Sequence, residues 1–69
     1  MYEYMEGDKV EFIEGRMHEQ YPDYFPPVGT VGTVVDVWYS GKELTIAWPK
    51  GTTRGNNSKP CKATYVVEA

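Results

Sequence analysis

Cysteine and histidine are nearly absent: the 69 residues hold one of each, Cys61 and His18. A single thiol excludes an intramolecular disulfide and any zinc cage built on cysteines. One histidine with no second soft ligand argues against a transition-metal site, and no metal or cofactor is expected. Long hydrophobic runs are missing as well. Apolar stretches reach only two or three residues, too short to cross a bilayer as a helix. The first eight residues are acidic and lack the apolar segment of a secretory leader. A secreted domain of this size usually carries disulfide staples, so their absence points to a reducing, cytoplasmic setting.

Sustained helical periodicity is missing too. Seven glycines and five prolines punctuate the chain, and no segment keeps apolar residues at i, i+3, i+4 and i+7. The length allows one domain with one thin core, which rules out a two-domain enzyme with a deep cleft. No Gly-Lys-Ser/Thr sequence is present, so a phosphate-binding loop of that type is excluded.

What is present is strand-forming alternation. The composition is 41% hydrophobic and 14% aromatic, enough for a folded domain. Residues 8–14 alternate with Val10 and Phe12 on one face, and Gly15 ends the run. Residues 30–39 are rich in β-branched side chains. Residues 42–48 alternate with Leu44, Ile46 and Trp48 in phase, and Pro49 closes them. Residues 61–68 place Cys61, Ala63, Tyr65 and Val67 in phase. Tyr39-Ser40-Gly41 reads as a tight hairpin connection. Residues 15–29 carry Pro22, Pro26 and Pro27 and read as a long irregular connection. Residues 51–60 read as a mobile polar loop. Gly32 marks an expected bulge or sharp bend that closes the sheet. These features predict an all-β fold, a small SH3-like antiparallel barrel of about five strands. Its core is expected to centre on Val10, Phe12, Val34, Val37, Leu44, Ile46, Ala63, Tyr65 and Val67.

One stretch carries a resemblance. It contains Gly7-Asp8-Lys9-Val10-Glu11-Phe12-Ile13, then Met17, then Pro26-Pro27-Val28-Gly29-Thr30-Val31-Gly32-Thr33-Val34, a turn at Gly41 and Leu44-Thr45-Ile46-Ala47-Trp48. This resembles a family of short SH3-like proteins of unknown function from phages and mobile elements of Gram-positive bacteria. The chain departs from that pattern at Val28, between the proline pair and Gly29, and at Pro49 after the tryptophan. The resemblance implies a fold and a phage-like origin, and no activity.

The residues offer no strong catalytic constellation. His18 and Cys61 are the one conceivable base and nucleophile, with no third group to orient them. Pairs of carboxylates such as Glu11 with Glu14, and Glu19 with Asp23, need burial to become an acid–base couple, and a domain this small has little to offer. The expectation is therefore no enzyme. The sharpest feature is Tyr21-Pro22-Asp23-Tyr24-Phe25-Pro26-Pro27. Tyr21, Tyr24 and Phe25, with Trp38 and Tyr39, are candidate anchors for a host or phage protein. The alternative is that the aromatics of the 21–27 loop fold back and cap the barrel, with the prolines stiffening the loop.

Charge is uneven. Residues 1–36 carry eight acids against Lys9 and Arg16, a net of −6; residues 37–69 carry five bases against Glu43 and Glu68, a net of +3. One reading makes Glu11, Glu14, Glu19 and Asp23 a phosphate-imitating face in a small inhibitor of a host enzyme. The competing reading makes Lys50, Arg54, Lys59 and Lys62 weak phosphate contacts on a nucleic acid, although the pI near 4.9 runs against a dedicated nucleic-acid binder. The chain is expected to be a monomer or a weak homodimer.

Overall fold

The alternating runs do become strands. In the computed structural model, which describes residues 4–69, β1 is Lys9–Phe12, β2 Val31–Trp38, β3 Glu43–Ala47, β4 Ser58–Lys62 and β5 Val66–Glu68. They form one antiparallel sheet in the order β4-β3-β2-β1-β5, so the last strand returns to the first. The sheet stays open: β4 and β5 are its edges, and the ladder does not close into a barrel.

The inward positions are those with the right phase. Val10, Phe12, Val34, Leu44, Ile46 and Ala63 are buried, and Val37 and Tyr65 pack against them half-buried. Phe25, Trp48, Cys61 and Val66 complete the core. Phe12 stands at its centre, stacked on Phe25 at 5.7 Å and meeting Trp48 edge-on at 5.8 Å.

Three expectations are corrected. Residues 61–68 are not one strand. Ala63–Tyr65 form a single 3₁₀ turn that shifts the phase, so Val66 points inward and Val67 is 42% exposed. Residues 15–29 are not wholly irregular. The helix α1 spans Gly15–Gln20, ahead of the first proline, and stops at Tyr21 because a residue before proline disfavours helical backbone. The bulge lies at Val35, where the register slips between Val34 and Asp36, and not at Gly32. Gly32 serves packing instead: a Cβ there would lie 2.6 Å from the Trp48 ring.

The two open edges are blunted. Ala63 N–H donates to Lys42 O, and Trp48 N–H to Asn57 O, which fixes the phase of the β3–β4 ladder. Ser58, Pro60 and Lys62 therefore turn their backbone groups outward. Ser58 N–H is taken by Asn56 Oδ1 at 2.9 Å, and Pro60 has no N–H. On β5 the same accounting turns Val66 and Glu68 outward. Val66 N–H donates to Ala63 O, and Val66 O accepts from the Tyr4 hydroxyl at 3.4 Å.

Candidate binding surface

His18 and Cys61 do not form a couple. The His18 ring lies 2.8 Å from Phe25 O through Nδ1; a carbonyl only accepts, so this nitrogen carries the proton and the ring anchors the 21–25 segment. Cys61 lies on β4 opposite Leu44 and is buried as part of the core. Burial first, then the nearby Glu43 charge, pushes its thiol from 9.0 up to about 12. The folded state thus holds the proton longer than the unfolded chain. Stability from this group is intact below pH 9 and falls as pH rises from about 9 toward 12. Native protein at pH 8 should leave a disulfide reagent unreacted over the time in which the urea-unfolded chain titrates fully. Equal rates in the two states would show the thiol accessible.

The aromatic and proline-rich segment folds back on the core. Phe25 is 7% exposed and belongs to the core, which corrects its reading as a surface anchor. Its ring meets Phe12, Tyr65 at 5.7 Å, Tyr24 at 5.1 Å and Tyr21 at 6.5 Å. The physical reason is area: a thin sheet leaves one end of Phe12 uncovered, and the loop after α1 supplies the cover. Tyr21 and Tyr24 remain partly exposed around it.

The loop between β3 and β4 clasps this segment. Arg54 N–H donates to Asp23 O at 2.7 Å, and its guanidinium reaches Asp23 Oδ2 at 3.5 Å. Lys59 Nζ sits 5.2 Å from the centre of the Tyr24 ring. Two of the four basic candidates are thus turned onto the protein's own surface. Lys50 is exposed before the loop, and Lys62 lies at the far end of β4. The four do not form one patch.

The acidic candidates are dispersed as well. Glu11 lies on the outer face of the sheet between Val31 and Val67. Glu14 precedes α1 and Glu19 lies near its end, about 140° around the axis. Asp23 faces Arg54.

Trp38 and Tyr39 are placed differently. Ser40 and Gly41 have φ of 58° and 90°, the signs that a primed hairpin turn needs, and Lys42 N–H donates to Tyr39 O at 3.2 Å. Tyr39 itself is held at φ 52° with its side chain 77% exposed. A bulky aromatic in the left-handed region carries strain. Trp38 is half exposed and fixed by its indole N–H, which donates to Thr45 Oγ1 at 2.9 Å. Beside them lies a shallow, open hollow of about 490 Å³, lined by Tyr39, Lys42, Glu43, Lys62 and Thr64. Lys62 stands opposite Glu43 in the ladder, and Thr64 enters from the 3₁₀ turn. Sequence reasoning named Tyr39 and Lys62 in separate groups and missed Lys42, Glu43 and Thr64. Only the Ser-Gly turn beside an aromatic signalled anything there.

No family model, no curated protein and no solved structure matches the chain. The resemblance to short SH3-like phage proteins therefore rests on the quoted residues alone.

Proposed function

We propose that the protein is a non-enzymatic binding module, cytoplasmic and of phage or mobile-element origin, that engages a host or phage protein through the end of the β2–β3 hairpin. The observation that carries this reading is Tyr39, 77% exposed on a left-handed backbone. A large ring kept in water at a conformational cost has no role in folding, and strained exposed residues concentrate at recognition sites. Trp38 extends the same surface and is oriented by its bond to Thr45. Tyr and Trp bring large area at low entropic cost, which suits them as anchors. The nucleic-acid alternative is weaker, since Arg54 and Lys59 are engaged by Asp23 and Tyr24. The acidic-inhibitor form is also weaker, because its four carboxylates face different ways.

Tyr39→Gly tests the reading in two directions at once. Left-handed backbone costs an L-residue roughly 1–2 kcal/mol, and glycine returns part of that as chain entropy. The variant should gain up to about 1 kcal/mol, raising the Tm by about 4–8 °C. It should also lose a nuclease-resistant partner that the native protein retains from bacterial lysate. A variant that is more stable and still retains the partner would remove Tyr39 from the interface. Retention that vanishes with nuclease would transfer the argument to nucleic acid.

A further inference from the structure

We propose that the hollow beside Tyr39 receives a single carboxylate, the acidic side chain of an extended segment in the partner protein. This rests on the binding-module reading and specifies what that surface recognises.

Lys42 and Lys62 both line the hollow, and both residues are exposed. Among the described residues the ion pair formed is Arg54–Asp23, so neither lysine is neutralised by a carboxylate within bridging distance. Glu43 lines the same hollow, directly opposite Lys62 in the ladder. Two ammonium groups and one carboxylate leave one positive charge, which a single acid complements. The Thr64 hydroxyl adds a neutral donor on the same wall.

A chain of phosphates fits less well. Asp36 lies opposite Thr45 on the same sheet face as Trp38 and Glu43, so repeated negative charges laid along this face meet Asp36 and Glu43 in turn. An acid flanked by neutral residues avoids that repulsion. Tyr39 then covers the apolar or peptide groups next to the acid, excluding water from the charged contact. The partner is not recruited as an added strand. Along the outward side of β4 the Ser58 amide is held by Asn56 and Pro60 has none, which leaves the single Lys62 amide, too few for a ladder, so recognition falls to side chains.

The test is amide NMR on the intact protein with three probes. The first two are acetylated, amidated hexapeptides carrying one central Glu or one central Gln in otherwise identical neutral sequence with a neighbouring Leu. The third is a six-nucleotide oligothymidine. The Glu peptide should shift the amides of Tyr39, Lys42, Lys62 and Thr64 saturably, with at least tenfold weaker binding by the Gln peptide. Lys42→Gln with Lys62→Gln should reduce binding of the Glu peptide at least tenfold and leave the Tm unchanged. Equal binding of Glu and Gln peptides, no response at these amides, or tighter binding of the oligonucleotide there would each overturn the proposal. The double variant also separates this proposal from the reading beneath it. If it still retains the lysate partner while Tyr39→Gly does not, the module stands and the carboxylate site falls.

Discussion

Phe25→Ala should remove a large part of the stability of the chain, about 3–5 kcal/mol. Truncating a buried phenylalanine costs that much, while a domain of this length has roughly 3–10 kcal/mol in all. Phe25 lies toward the upper end of that cost because its ring is shared. It stacks on Phe12 and meets Tyr21, Tyr24 and Tyr65. Without it, the 21–25 segment keeps His18 on a backbone carbonyl and Arg54 on Asp23, both contacts at or near the surface. Urea denaturation followed by tryptophan fluorescence measures the loss, with Phe25→Leu as a milder control. A loss under about 1 kcal/mol for Phe25→Ala would return this residue to the surface and reopen the whole 21–27 segment as an interface.

Gly32→Ala is expected to cost about 3 kcal/mol, through overpacking and not through backbone conformation. The added methyl would lie 2.6 Å from Trp48 Cε3, 2.7 Å from Ile46 Cγ2 and 3.0 Å from Ala47 O. None of these neighbours is a flexible tip. Trp48 is held edge-on against Phe12, Ile46 is buried across the ladder, and Ala47 O belongs to β3. The strands must therefore separate or the indole must leave its place. Trp48→Leu shortens the side chain that clashes, so the double variant should be more stable than the sum of the two single losses predicts. Thermal melts of the four proteins complete the cycle. Strict additivity would mean that the strain at Gly32 arises elsewhere.

How far the residues announced this structure depends on how local each signal was. β1, β3 and the hairpin between β2 and β3 were legible because alternation and a Ser-Gly turn are properties of adjacent residues. The helix Gly15–Gln20 was not legible, since six residues are too few to establish a period. The break at residues 63–65 was hidden for the opposite reason: Ala63 and Tyr65 continue the alternation of Cys61 and leave a 3₁₀ turn unmarked. β4 was concealed by Pro60, which argues against a strand until the ladder phase shows that its missing N–H faces outward. The hollow was least legible of all. Tyr39 and Lys42 come from the hairpin, Lys62 from the opposite edge and Thr64 from the turn after it, and only the fold joins them.

The blunted edges have a consequence for what this chain does in a crowded cell. Fibrils grow when one molecule offers a row of free amides as a template for the next. Here Asn56 occupies the Ser58 amide, Pro60 supplies none, and the first groups of β5 are taken by Ala63 and Tyr4. A template needs several such groups in succession, and neither border supplies them. Growth of a fibril from either border of the sheet is therefore disfavoured.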